Sequence, residues 1–330
     1  MLTIRTNDER IDDQTHKTQI DSARMYVGGK TEELLGDVMG EEKSIASLRV
    51  ASKVRKNLTS HAKILLMYIH THTQANPWYG DLSRAGVRKQ LEDTLKALKS
   101  ESVDVLYLHG PDAKHDIRET LDEVQKMYQE KKFKRFALSN FTAWETMYIH
   151  SYMSQKKWIT PTIYQGMYNA ITRTVETELF PCLRRLGMSF YAYNPLAGGM
   201  LSGKHSRDSQ ESRRGGRFRN DTQWGKIYQE RFMLDAHFDG MDIIKKACEK
   251  EKISCVNAAL RWMKHHSVLS GDDAIIIGAS KMQHFSANVS ALDEGKLPES
   301  VVQAYEKAWK IIDDAHAVPK FSRGYSGSAL

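Results

Sequence analysis

The stretch Val103-Asp104-Val105-Leu106-Tyr107-Leu108-His109 decides how this chain is read. It is a short apolar run that ends on an imidazole, and it reads as a strand. Just before it, Ser83–Ser100 carries Val87, Leu91, Leu95 and Leu98 at helical spacing. After it come a predicted helix over Ile117–Glu130 and a second strand over Phe133–Ser139. The alternation continues towards the C-terminus, with a helix over Ala143–Lys156, a strand over Thr162–Gln165, a helix over Val175–Leu186 and a strand over Ser189–Asn194. A polar, Gly- and Arg-rich stretch runs from Ser202 to about Gly225. Helices over Gly240–Lys250 and Cys255–His266, a strand over Ala274–Ile277, and helices over Lys281–Leu292 and Pro298–Ala315 complete the pattern. Towards the N-terminus lie a strand over Leu48–Lys53, a helix over Thr31–Gly40 and a strand over Thr18–Asp21. Thr31 is placed to cap that helix, and Glu32 and Glu33 suit its first turn.

Repeated strand–helix units predict an α/β protein with a parallel sheet, either open or closed. The polar residues decide between the two. Asp21, Lys53, His109, Ser139, Gln165 and Asn194 all fall at or just past the C-terminal ends of six different strands. A closed barrel brings all such ends to one mouth, whereas an open sheet brings only a few together. No Gly-x-Gly-x-x-Gly opens a helix after a strand, which disfavours a dinucleotide-binding open sheet. The expectation is a (β/α)8 barrel in a single domain spanning residues 1–330.

Composition narrows the function. The chain is 41% hydrophobic and 27% charged, a globular balance. Its longest apolar stretch, Ala62 to Ile69, is too short to cross a bilayer. No charged, apolar and small-residue leader opens it, so a cytoplasmic location is expected. The net charge is +7, but basic residues are spread among nearly as many acids, so nucleic acid is not an expected partner. The one dense cluster, Arg213, Arg214, Arg217 and Arg219, suits a small anion or a solvated loop. Cys182, Cys248 and Cys255 give neither a disulfide framework nor a metal spacing. His61, His70 and His72 fit no zinc pattern and read as surface histidines, and no metal is expected. His265 and His266 suit the end of a helix, and Met25, Met167 and Met200 suit core packing or an apolar pocket wall.

Three longer motifs carry a resemblance: Pro161-Thr-Ile-Tyr-Gln-Gly-Met-Tyr-Asn169, Glu178-Leu-Phe-Pro-Cys-Leu183 and Phe190-Tyr-Ala-Tyr-Asn-Pro-Leu-Ala-Gly-Gly-Met-Leu-Ser-Gly-Lys204. With Asp21, Tyr26, Lys53 and His109 in order, the chain resembles the aldo-keto reductase superfamily, and its aflatoxin-aldehyde reductase branch in particular, from about Gln19 to Ile312. The resemblance implies NADPH-dependent reduction of an aldehyde or ketone. Tyr26 would be the general acid, its phenol made more acidic by Lys53, which Asp21 holds charged and oriented. His109 would bind the carbonyl oxygen. For the cofactor, Ser139, Asn140 and Gln165 resemble the carboxamide partners and Tyr193 the ring that stacks on the nicotinamide. Asn194-Pro195-Leu196-Ala197-Gly198-Gly199-Met200-Leu201-Ser202-Gly203-Lys204 resembles the loop along the pyrophosphate. Ser280, Lys281, His284 and Asn288 resemble the site of the adenosine 2′-phosphate, where many members carry Arg at the place of His284. Asp21 also counts among the cofactor contacts. Tyr228 and Arg231 match positions that meet acidic aldehydes, and Arg217 is placed against the cofactor, within a variable loop over residues 202–238. The branch includes dimers, so a homodimer is compatible with the resemblance. Fungal secondary metabolism and aldehyde detoxification are the settings it suggests. A non-catalytic NADPH-binding protein and an inactive product of a faulty gene model are the alternatives.

Two features depart from the family pattern. Ala75-Asn76-Pro77-Trp78 should follow the lysine almost at once, but 54–74 intervenes. Those 21 residues begin with Val, whose codons start GT, and end with Gln, which CAG encodes. They read as an insertion or a retained in-frame intron. In addition, Met1–Lys17 is polar and shows no clear first strand or helix, so the barrel is expected to lack its first unit and to leave two open edges.

Overall fold

A computed structural model describes residues 2–5, 18–21, 33, 67–75, 80–207, 216–279 and 282–319. Its strands close into a barrel. β1 (Leu2–Arg5), β2 (Thr18–Asp21) and β3 (Met67–Ala75) precede the regular alternation. Then come α1 (Arg84–Ala97), β4 (Val103–Leu108), α2 (Ile117–Gln129), β5 (Phe133–Ser139), α3 (Ala143–Gln155) and β6 (Pro161–Met167). They are followed by α4 (Leu179–Leu186), β7 (Ser189–Tyr193), α5 (Gln223–Phe232), α6 (Asp235–Lys250), α7 (Cys255–His265), β8 (Ala274–Ile277), α8 (Met282–Asp293) and α9 (Glu299–Asp314). From β2 to β8 each strand runs parallel to the next.

The two expected open edges are a correction. β1 pairs with both β2 and β8 and closes the ring. It runs antiparallel to both, so it is not the first strand of a β/α unit. Alternating Leu2, Thr3, Ile4 and Arg5 is a short β pattern, too brief to stand out within a polar segment. The third strand is also unexpected. Met67–Ala75 pairs with β2 and β4, and most of it lies inside the segment read as an insertion. Tyr68, Ile69, Thr71 and Thr73 give it β-forming side chains. His70 and His72, read as surface histidines, fall within it. The predicted strand Leu48–Lys53 lies outside the described residues, and of the predicted helix Thr31–Gly40 only Glu33 is described, as helical.

Local chemistry explains the other boundaries. Ser83 caps α1 by accepting from the Gly86 amide, and Thr142 with Glu145 forms a reciprocal cap on α3. The helix predicted over Val175–Leu186 is broken into a 3₁₀ turn, Thr174–Glu176, and α4. Pro181 is the cause: it has no amide to donate to the Thr177 carbonyl, so it is tolerated only in a first turn. α5 was not foreseen, and α6 begins before Gly240. A Cβ on Gly240 would stand 3.1 Å from the Ala308 Cβ, so this glycine lets α6 and α9 pack closely.

Val105, Tyr107, Ala137, Ile163, Tyr191, Ala274 and Ile276 fill the inside of the barrel, while the larger core lies between strands and helices. At the opposite end from the strand C-termini, Asp273 fastens three elements together. It is 1% exposed and accepts from Arg184, from the Phe190 amide at 2.6 Å and from the Ser270 amide at 2.9 Å. Asp273→Ala would strand the buried Phe190 amide, take the acceptor from the Ser270 amide and unpair the guanidinium, so a loss of about 3 kcal/mol is expected. Urea unfolding measures it, and a loss below about 1 kcal/mol would mean that the clasp is not a main support of the barrel floor.

Candidate active site

Strand parity sets the mouth of the barrel. Side chains alternate along a strand, so residues two apart share a face. Val105 and Tyr107 point inward, and His109 continues that set one step past β4. Ala137 leads to Ser139 on β5, Ile163 to Gln165 on β6, and Tyr191 to Tyr193 on β7. Ser139 is in register with Gln165, and Met167 with Tyr193. Four polar side chains therefore form a tier above the apolar filling. His109 is 8% exposed and Gln165 3% exposed, so the tier is largely shielded from water.

Asn140 joins these strand ends. Its Nδ2 donates to the His109 carbonyl at 2.7 Å and to Ser139 Oγ at 2.9 Å. Its Oδ1 accepts from the Tyr193 hydroxyl at 2.8 Å. Both amide hydrogens are thus used within the protein, and one lone pair of Oδ1 remains for a ligand. Asn140 and Asn194 both take left-handed backbone conformations, with φ of 63° and 58°, where the chain turns out of β5 and β7. Asn is tolerated there because its short polar side chain bonds locally.

The loop after β7 is a tight glycine-bearing turn. Gly198, Gly199 and Gly203 have φ of 68°, 117° and 71°. A Cβ on Gly198 would lie 2.5 Å from the Tyr228 ring. The Tyr228 hydroxyl donates to Asn194 Oδ1 at 3.1 Å, and the Asn194 carbonyl accepts from Asn169 at 3.0 Å. This loop and α5 therefore hold each other in place. The Arg217 and Arg231 guanidinium groups lie 5.5 and 5.9 Å from the Tyr228 ring centre, within reach of cation–π attraction. Phe218 packs edge-on against both Tyr228 and His205. Burial, and then the Lys204 charge, push the His205 imidazole below its usual range.

The structure thus brings together His109, Ser139, Asn140, Gln165, Tyr193, the Asn194–Lys204 loop, Arg217, Tyr228 and Arg231. Asp21 ends β2, while Tyr26, Lys53, Ser280 and Lys281 lie outside the described residues. On α8, His284 is exposed and Asn288 buried. Met167 and Met200 are buried. Asn169, fully buried, positions Asn194 but had no assigned role; its place at the end of the motif Pro161–Asn169 was the available signal.

A tier of hydrogen-bonding side chains beside a backbone loop open to close approach fits a dinucleotide with an amide-bearing ring. Gly198→Ala tests the loop. A left-handed alanine costs about 1–2 kcal/mol, before any clash with Tyr228, which predicts NADPH binding weakened by roughly tenfold or more. Calorimetric titration measures it, and an unchanged Kd would remove Gly198 from the cofactor cradle.

A barrel with its polar tier at the strand C-termini defines an enzyme scaffold. The sequence model of the Aldo/keto reductase family matches residues 16–310, and the chain belongs to that family. It is an NADP-dependent oxidoreductase, and the family acts on small carbonyl substrates. The chain is 41% identical over 312 residues to aflatoxin B1 aldehyde reductase member 4 of Homo sapiens, covering 92% of this chain and 87% of that protein. It is 40% identical over 315 residues to human aflatoxin B1 aldehyde reductase member 2, covering 93% and 81%. It is 38% identical over 298 residues to an aldo-keto reductase of Pseudocercospora fijiensis, covering 89% and 93%. Among the described residues no helix is long and apolar enough to cross a membrane, and no group of three metal-ligating side chains forms.

Proposed function

We propose that this protein reduces an aldehyde or ketone to an alcohol, with Tyr26 giving the proton to the carbonyl oxygen. The observation that carries the reading is the shielded tier of His109, Ser139, Asn140, Gln165 and Tyr193 beside the glycine loop. Bound NADPH supplies the hydride. The His109 imidazole hydrogen-bonds the carbonyl oxygen and orients it. Tyr26 donates its phenolic proton as negative charge develops on that oxygen. Lys53 makes the phenol a stronger acid, and Asp21 keeps the ammonium charged. Ser139 and Gln165 offer hydrogen bonds to the cofactor's amide. Arg217 and Arg231 near Tyr228 support an aldehyde that carries an acidic group. The relatives' name, aflatoxin B1 aldehyde reductase, supports an aldehyde substrate, and aldehyde detoxification or fungal secondary metabolism is the setting proposed for it. A cytoplasmic homodimer belongs to the same reading.

Residues 54–74 enter this reading as an insertion. Gln74 of β3 is in register with Tyr107, an inward residue of β4, and His72 with Asp21 of β2. Excising 54–74 joins Lys53 to Ala75 and moves Lys53 into the register place of Gln74. Lys53 would then share a sheet face with Asp21 on one side and His109 on the other. That alignment supports an active chain in which 54–74 is absent. Transcript reads that keep the segment in most molecules would argue against it.

Loss of NADPH absorbance with a panel of neutral aldehydes, dialdehydes and acidic aldehydes tests the activity. Tight NADPH binding without turnover on any of them, in the chain with and without 54–74, would favour a cofactor-binding protein instead.

A further inference from the structure

Two cysteines that look unrelated in sequence meet at the corner between α6 and α7. Cys248 lies in the last turns of α6 and is 1% exposed. Cys255 is the first residue of α7 and is half-buried. The connection is a tight one: the Ile253 amide donates to the Cys248 carbonyl at 2.9 Å, and Lys252 turns through φ of 56°. Lys245, three residues before Cys248 and so on the same side of α6, borders Gly203 together with Cys255, which places the two cysteines on facing sides of this corner. Cys255 also faces the glycine loop, since a Cβ on Gly203 would stand 3.0 Å from its sulfur and 3.5 Å from the Lys245 side chain.

The environments of the two thiols differ. Cys255 sits at a helix N-terminus, where amide dipoles favour a thiolate. The neighbouring Cys248 thiol lowers its pKa, and the Lys245 ammonium adds to that. Cys248 moves the other way, through the Cys255 thiol beside it and through burial. One thiol is therefore set as a nucleophile and the other as a reserve that reaches it. Cys182 serves as an internal contrast, for its sulfur donates to the Ala143 carbonyl at 3.4 Å and burial pushes its thiol up.

We propose that Cys248 and Cys255 form an oxidisable dithiol that closes to a disulfide on meeting a hydroperoxide. The Cys255 thiolate attacks one peroxide oxygen, so the O–O bond breaks and an S–O bond forms. The departing hydroxide takes a proton and leaves as water. The Cys248 sulfur then attacks the Cys255 sulfur, so an S–S bond forms and the S–O bond breaks. The second hydroxide leaves with the Cys248 proton as water. Two thiols are oxidised to one disulfide and one hydrogen peroxide is reduced to two waters. Turning the Cys255 sulfur towards Cys248 removes the surface on which Gly203 rests, and so couples the bond to the loop; this coupling rests on the reading of Asn194–Lys204 as the cofactor loop.

The test uses the reduced full chain and one equivalent of hydrogen peroxide, followed by alkylation and peptide mapping. A linked Cys248–Cys255 peptide is expected, with Cys182 as the one alkylated thiol. Preferential oxidation of Cys182, bonds between chains or three alkylated thiols would overturn the dithiol. In Cys248→Ser, a dione reagent should trap a sulfenic acid on Cys255; where that variant does not fold, the wild-type map still decides. Saturating NADPH should slow Cys255 alkylation by roughly threefold or more. An unchanged rate with NADPH demonstrably bound overturns the coupling. If NADPH does not bind, the cofactor reading fails, and the peptide map decides the dithiol by itself.

Discussion

Replacing Tyr26 with Phe, in the chain without 54–74, is expected to lower kcat by about 10²–10⁴-fold while NADPH binds nearly as before, the range that a positioned general acid supplies. The reasoning is chemical. Hydride addition to a carbonyl leaves a developing alkoxide, and in a site shielded from water that charge needs a proton from the protein. His109 is 8% exposed and stands at the inner face of β4, so it can hydrogen-bond the oxygen. The tier that would meet the cofactor's amide comes from β5, β6 and β7, away from the β2 side on which Tyr26 follows Asp21 in sequence. The variant should therefore separate chemistry from binding: Kd for NADPH by fluorescence stays put, while turnover collapses. His109→Ala in the same background should raise KM as well as lower kcat, since it removes a contact to the bound carbonyl. Turnover unchanged in Tyr26→Phe would remove Tyr26 as the acid.

The barrel was legible because its signals were local and repeated. Strands β4 to β7 each carried a polar residue at inward parity at or near their C-terminal ends, and the helices beside them carried apolar spacing and caps such as Ser83 and Thr142. The polar tier followed from the same parity, since Tyr107 to His109 and Ala137 to Ser139 are each one step of two residues. Three things were not legible. The break before α4 depends on one proline at the third helical position, which a count of apolar residues overlooks. α5 sits within a polar stretch and is held by Tyr228, which packs beside Gly198 of the glycine loop and against Phe232, a contact between distant parts of the chain. The meeting of Cys248 and Cys255 depends on the sharp corner after α6, and seven positions of spacing in sequence do not announce it. β3 is a different case: its β-forming composition was plain, but the family motif on either side made the segment read as foreign to the fold.

Removing 54–74 is expected to raise kcat/KM by at least about 10²-fold over the chain with the segment, because it restores a charged group that acts on the proton donor. In the chain with the segment, β3 carries Gln74 in register with Tyr107, on the strand between Asp21 and His109. A neutral amide there can offer a hydrogen bond to a phenol, but it lacks the charge that makes a phenolate accessible near neutral pH. After excision, Lys53 takes that register place, and Ala75-Asn76-Pro77-Trp78 follows it directly as the family pattern requires. The main competing explanation is that the shorter chain is simply better folded, and two further variants separate the two. Lys53→Met in the shorter chain keeps the excision and removes the ammonium, so it should lose most of the gain while its unfolding midpoint stays close to that of the parent. Gln74→Lys in the longer chain adds the ammonium without the excision, so it should recover part of the activity, shifted in pH dependence towards an acid of lower pKa. A shorter chain no more active than the longer one, with both folded and both binding NADPH, would sink the insertion reading. It would mean that β3, with Gln74 in register with Tyr107, is the working strand of this barrel.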